Sequence, residues 1–352
     1  MPRSIIDPEF AKSQFIQFNQ LKDIHFDKIV SNDDSSISQV SQQNENSQNG
    51  FELTYVQGKV TSIDETTAQY QLNESDQTAT IHFDQVVLAS GRDRKWPITP
   101  QAYNYRKFIE EMKEFLAHCG KHDIISVIGA GGVGLEVAAD IKKLFPAKAV
   151  NLIHPHPNYP PEPLSIEFKN QIHQSLTKAG VNVITNTRVS HEEANGDLVT
   201  TTGETIKSRF NYWCNSHRNN TQILLDELQK KFVNHRNNLW VNDHLQLKNP
   251  QTNDTLPNFY AAGDLAELPV IKSAGWANFM GTLASTNVIS SLFEDKVVQS
   301  LPQDLLSKNH MIVIAGDEDV ISEINGEVVL NLPYYVDQYK SYCMEKVLSI
   351  YT

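Results

Sequence analysis

Residues 124–145, IISVIGAGGVGLEVAADIKKLF, constrain this chain more than any other stretch. An apolar run (Ile124, Ile125, Val127, Ile128) leads into Gly129, Gly131 and Gly134, and then Leu135, Val137, Ala138 and Ile141 recur at helical spacing. Strand, glycine turn and helix in that order are the context that a dinucleotide-binding G-x-G-x-x-G requires. Gly129 permits the tight turn, Gly131, with Gly132 beside it, lets the backbone approach a pyrophosphate, and Gly134 lets the helix pack close to the strand. The helix N-terminus then offers unpaired N–H groups and a positive dipole end to phosphates. Pro146 closes the helix and AVNLIH supplies a second strand. The plainer alternative is a helix–strand packing turn in some other α/β protein.

At the end of that second strand, where a carboxylate would bind the adenosine ribose of NAD, stands His154 in IHPHPNYPPEP. A carboxylate there would repel a 2′-phosphate, so both NADH and NADPH stay open, with no arginine nearby in sequence to demand the phosphate. His154 and His156 do not read as a metal pair, because prolines separate and follow them without cysteine or helical spacing; no metal is expected. Glu136, two residues after the last glycine, has a plain reading as an acid in a helix's first turn.

With 352 residues and 40% hydrophobic content, the chain can bury two domains plus an extension. No run approaches the ~18 apolar residues of a membrane span, and the N-terminus has no signal-peptide pattern, so a cytoplasmic protein is expected. A formal charge of −12 argues against a nucleic-acid partner, which needs a basic face. Cys119, Cys214 and Cys343 are far apart and form no C-x-x-C, which removes a redox-active disulfide from the candidate chemistry.

Residues 31–50, rich in Ser, Gln and Asn, read as a disordered insertion. After them, alternation predicts strands in ELTYVQGKVTSIDETTAQYQL and TATIHFDQVVLASG, the latter ending in a small-residue turn at Ala89, Ser90 and Gly91. YRKFIEEMKEFLAHCG predicts a helix ended by Gly120, residues 165–179 a second helix, and VNVITNTRV a strand, so that 101–232 forms an α/β domain with a mainly parallel sheet. In LPNFYAAGDLAEL an apolar strand ends in Ala262-Gly263-Asp264, where Gly263 would admit a cofactor and Asp264 could accept hydrogen bonds, or serve only as a turn residue. MIVIAGDEDVISEINGEVV predicts two strands with an Asn325-Gly326 turn, and YVDQYKSYCMEKVLSIY a final helix.

Together, VVLASG, VIGAGGVGLEVAADI, LWVNDHLQL and FYAAGDLAEL resemble the pyridine-nucleotide-dependent FAD oxidoreductases, in the apoptosis-inducing-factor-like branch that includes the ferroptosis-suppressor quinone reductases and their fungal relatives. The resemblance implies an α/β fold of two Rossmann-like domains binding FAD and NAD(P)H. The FAD domain would comprise 1–100 plus 233–295, incomplete at its N-terminus because the family's first glycine motif does not occur. The NAD(P)H domain would be 101–232, with a small C-terminal extension at 296–352. By the same matching Arg3 contacts FAD, Val60 makes a backbone contact on the adenine side, Ser90 and Gly91 belong to the FAD site, Asp264 binds the ribityl chain, Asn220 fills a family asparagine position, and Glu136 orients the nicotinamide. Trp276 would cover the flavin ring or fill core. The implied reaction passes a hydride from NAD(P)H to flavin and electrons on to a quinone or other electron carrier. The alternative is a non-catalytic NAD(P)H-binding relative acting as a sensor, or a truncated fragment. Oligomeric state is open, as are peripheral membrane contact and mitochondrial association.

Overall fold

The structure, a computed structural model, describes residues 2–31, 52–73, 75–215, 218–293, 298–306, 308–316, 318–339 and 343–352. The insertion expected at 31–50 lies outside them from residue 32 onward. The chain forms two compact units: Met1–Lys22, Arg94–Ser216 and Asn309–Thr352 make one, and Asp23–Asp93 with His217–Lys308 the other. The units change over after 22, 93, 216 and 308, where boundaries near 100, 232 and 295 were expected, and both chain ends join the glycine-turn unit. Specific contacts carry this difference: the first residues pack on the helices Gly132–Leu144 and Tyr105–Lys121, and the strand Met311–Ala315 packs on Gly132–Leu144.

The glycine-turn unit is built on a parallel sheet in the order Asn182–Ile184, Ala149–Ile153, Ile124–Ile128, Phe210–Trp213. The two central strands are nearly continuous apolar runs because helices cover both faces of such a sheet. Val127, Leu152 and Ile153 are accordingly buried with Leu135, Ile141, Phe168 and Ile172 of the helices. Asn104 caps Tyr105–Lys121 by accepting the Lys107 N–H, and Ile109, Met112, Phe115 and Cys119 form its buried stripe. Gly120 does not end this helix: it sits in the last turn, and His122 is the cap. Ser165 caps Ile166–Lys178 through the Phe168 N–H.

Near the C-terminus the unit carries three antiparallel strands, Met311–Ala315, Asp319–Ile324 and Glu327–Leu330, where two were expected. Asn325 (φ 53°) and Gly326 (φ 82°) both take the left-handed conformation that a two-residue type I′ hairpin demands. The expected final helix is two, Pro333–Tyr339 and Met344–Tyr351, because Cys343 at φ 59° starts the second in a conformation no right-handed helix can run through.

The other unit holds a parallel pair, Lys28–Val30 with Thr54–Val56, an antiparallel sheet of Gly58–Ile63, Thr67–Leu72 and Thr78–His82, and a mixed sheet in which Thr255–Ala261 lies between Gln246–Lys248 and Val86–Leu88. The period of two along the central strand divides its side chains between two cores. Phe259 and Ala261 join Leu239, Leu247 and Phe232, whereas Tyr260 joins Met280, Leu283 and Ala284 of the helix Ala274–Leu292. Ser273 caps that helix through the Trp276 N–H.

Candidate functional site

In the glycine-turn unit, backbone geometry shapes the turn. Gly129 sits at φ +105°, a conformation L side chains rarely adopt, and a Cβ on it would lie 3.0 Å from the Asn215 nitrogen. A Cβ on Gly134 would lie 1.8 Å from the Gly129 carbonyl oxygen, so helix and strand approach as closely as they do only because neither residue has a side chain. Gly131 is the N-cap of Gly132–Leu144, and a Cβ added there meets only Glu162 Oε1, at 3.9 Å. Gly132 faces the flexible end of Met311, whose Cε would lie 3.1 Å from a Cβ. The turn thus presents backbone and open space at a 13-residue helix N-terminus, a cradle that a pyrophosphate fits.

His154 ends the neighbouring strand and is 4% exposed. Its Nδ1 accepts the Ala130 N–H at 3.3 Å, which ties the ring to the glycine turn. Its Nε2 is buried without a hydrogen-bond partner. Burial, helped by His156, Arg188 and Lys169, lowers its pKa to about 4. The ring is therefore neutral at pH 7 and, with Nδ1 accepting, carries its proton on Nε2. The segment before Arg188 is strapped to it: the Thr187 N–H bonds the His154 carbonyl at 3.0 Å, and the Asn186 N–H bonds that of His156 at 3.3 Å.

Glu136 and Arg3 lie elsewhere in the same unit. Burial, then the Asp140 carboxylate one helical turn on, raises the Glu136 pKa to about 8, opposed by a hydrogen bond from the Ile314 backbone. The residue keeps part of its surface exposed, so the crowding is local to the carboxyl group. Arg3 pairs with Asp7 (3.3 Å) and with buried Asp140 (3.2 Å). It belongs to the unit of the glycine turn, not to the unit of Asp264 with which the resemblance grouped it.

In the second unit, the parallel strands Val86–Leu88 and Thr255–Ala261 end side by side, which brings the Ser90–Gly91 turn and Gly263–Asp264 to one edge. A Cβ on Gly91 (φ +63°) would have nothing within 4 Å, and one on Gly263 (φ +67°) would meet only Ala277, at 3.5 Å. Ser90 Oγ donates to the Asn220 carbonyl at 3.0 Å, and Asn220 Nδ2 donates to the Ser90 carbonyl at 3.0 Å. Asp264 accepts from Arg92 Nε at 2.8 Å, and its carbonyl accepts from Asn219 Nδ2 at 3.2 Å. Lys272 completes the group: burial lowers its pKa to about 8, against Glu267 and Asp264, and its ammonium donates to the Ala266 carbonyl. Val60 lies in the antiparallel sheet opposite Tyr70, exposed, and takes no part in these contacts. Trp276 packs on the Tyr260–Met280 core and edge-on to Phe279, 5.7 Å between centroids. These residues fit the hydroxyl-bearing end of a flavin chain.

Sequence reasoning missed Arg92, Asn219 and Lys272. Only Arg92 carried a local signal, as the first charge after the Ser90–Gly91 turn.

The family described as "Pyridine nucleotide-disulphide oxidoreductase" matches residues 19–285. The chain is 30% identical over 260 residues to Oxidoreductase OXR1 of Ajellomyces capsulatus, covering 69% of this chain and 54% of that protein. It is 26% identical over 288 residues to ferroptosis suppressor protein 1 of Taeniopygia guttata, covering 79% of this chain and 74% of that one. The match thus spans about half the length of the fungal relative. Among solved structures, the water-forming NADH oxidase from Lactobacillus brevis bound to NADH superposes with a TM-score of 0.57 at 20% identity, covering 76% of this chain and 58% of that one, a likeness of fold. No helix of the described residues is long and apolar enough to cross a membrane.

Proposed function

Because the chain belongs to the pyridine nucleotide-disulphide oxidoreductase family, we propose that it is an FAD-dependent NAD(P)H oxidoreductase whose electrons go to a quinone or similar small carrier. NAD(P)H binds at the turn Gly129–Gly134, and FAD binds through the group around Asp264. The observation that carries this reading is the open cradle at Gly131 in front of a helix N-terminus, inside a family that uses both cofactors.

When bound, the nicotinamide supplies a hydride and the flavin accepts it and releases the electrons onward. The chain's own work is positioning. The helix N-terminus and the glycine backbone hold the pyrophosphate. His154, whose Nδ1 accepts the Ala130 N–H, fixes the strand end to the glycine turn at the adenosine side. Asp264 accepts from the hydroxyls of the flavin chain in exchange for Arg92, while Asn220 and Ser90 keep the adjoining turn closed. Lys272, with a pKa near 8, can hold or release a proton at Nζ beside Asp264. The thiols support an acceptor other than a disulfide: burial raises Cys214 to about 12 and raises Cys119 as well, leaving neither as an available thiolate.

The test is the visible spectrum of the purified chain, reconstituted with FAD, before and after anaerobic NADPH. A bound flavin that bleaches supports the reading. A chain that holds no flavin even with an N-terminal extension supplied refutes it, and would leave an NAD(P)H-binding protein without catalysis.

A further inference from the structure

Behind Asp264 lies a run of side-chain amides that the flavin reading does not use. The short ladder of Arg92–Asp93 with Arg218–Asn219 sets Arg92 and Asn219 directly opposite each other, so their side chains leave on one face. Both reach Asp264: Arg92 Nε donates to its carboxylate at 2.8 Å, and Asn219 Nδ2 donates to its carbonyl at 3.2 Å. The next two carbonyls are also held, that of Leu265 by the Leu239 N–H at 2.7 Å and that of Ala266 by the Lys272 ammonium. Asn219 is buried, and its Nδ2 also donates to Asn238 Oδ1. Asn238 Nδ2 in turn donates to Glu267 Oε2, which takes a second hydrogen bond from Asn234 Nδ2 at 2.9 Å. The loop that carries Asn238 is closed on itself, with Asn234 Oδ1 accepting the Arg236 and Asn238 N–H groups at 2.8 and 2.9 Å.

An amide can present either its oxygen or its NH2, and its partners decide which. Here the decision starts at Glu267, since a carboxylate only accepts. Asn238 therefore turns its NH2 to Glu267 and its oxygen to Asn219, and Asn219 turns its NH2 back, which delivers a donor to the Asp264 carbonyl. With the chain reversed, the Asn219 oxygen would face that carbonyl, and a buried acceptor left unpaired costs more than the bond contributes. We propose that Glu267 and Asn238 are positioning residues for the flavin, acting through Asn219 to fix the Gly263–Asp264 turn. The inference rests on the flavin reading above. Asp264 is gripped at both backbone and side chain, and only the side-chain grip, Arg92, is exchanged for ligand. The backbone grip does not pass through Arg92, so the carboxylate trades Arg92 for hydroxyl groups without the turn moving.

Exchanging the two outer groups tests this in the full chain reconstituted with FAD. Asn238→Asp removes the NH2 and sets a carboxylate against Glu267. Adding Glu267→Gln restores a donor at that end and still leaves position 238 an oxygen for Asn219. The readouts are the FAD dissociation constant, the visible circular dichroism of the bound flavin, and thermal unfolding of the flavin-free chain. Asn238→Asp is expected to weaken FAD by about tenfold and to alter the dichroism, and the double variant to recover both to within about twofold. A shift in unfolding temperature with parental affinity and dichroism overturns the proposal, because that is what a role in stability alone would give. A folded double variant that binds FAD as weakly as the single one overturns it too. Should the single variant not fold, the double variant decides alone by its affinity. A parent chain that holds no FAD even with an N-terminal extension supplied refutes the flavin reading, and this inference with it.

Discussion

The two proposed cofactor sites differ in what shapes them. At Gly129–Gly134 the site is backbone, fixed by a positive φ and by a helix–strand approach that excludes a methyl group. Around Asp264 the site is side chains already engaged with one another: Arg92 holds the carboxylate, and Asn219 holds the backbone carbonyl. The first site can receive a ligand without giving anything up. The second has to exchange an ion pair for hydroxyl groups. A preformed cradle is therefore sensitive to added atoms, and an exchange site to removed ones.

The largest effect should follow from adding atoms to the first. Gly134→Val would drive side-chain carbon into the Gly129 carbonyl, costing about 3 kcal/mol or more, and Gly129→Ala about 1–3 kcal/mol through its backbone conformation. Thermal unfolding measures both. A Gly134 variant that melts with the parent protein would mean the close approach does not exist.

The second site sharpens the contrast. Asp264→Ala should weaken flavin retention by about tenfold, the cost of one or two hydrogen bonds to a charged acceptor. Arg92→Ala should change stability by under about 1 kcal/mol, since the pair is partly solvated, and should leave flavin binding equal or tighter. Ultrafiltration of the reconstituted protein reads both. Tighter flavin binding in the Asp264 variant would show that the carboxylate is committed to Arg92 and not exchanged.

A pH slope adds to the contrast. Because burial raises Glu136 from 4.5 to about 8, the folded chain keeps a proton that the unfolded chain releases. Its contribution is full below about pH 4.5, shrinks as pH rises, and is gone past about 8. Denaturant unfolding of the parent protein should show this decline, and Glu136→Gln should flatten it. Identical slopes would place the titration elsewhere.

Much of the first site was legible because its determinants are local. The periodicity change at Gly129 locates strand, turn and helix, and Gly129 and Gly134 are close neighbours along the chain. The second site was legible only at its strand ends, Gly91 and Gly263–Asp264. The pairing of Arg92 with Asp264 was not, because a salt bridge between residues 172 apart leaves no trace in spacing. Gly120 misled for a related reason. Glycine ends helices where a left-handed cap is needed, and here the chain turns at His122 in extended conformation instead. Arg3 pairs with Asp7 and Asp140, the second of them 137 residues away, and matching a motif does not show that pairing.

The division of the chain has a consequence for how the protein is made. The glycine-turn unit draws on residues 1–22, 94–216 and 309–352. A ribosome therefore finishes the parallel sheet long before it releases Met311–Ala315, the strand that packs on the glycine-turn helix. Until then the nascent chain exposes that helix's outer face with Glu136 on it, and the last segment arrives as a lid on a nearly complete body. Substitutions that slow the docking of 309–352 should therefore lower the yield of protein from cells more than they lower the stability of whatever is purified.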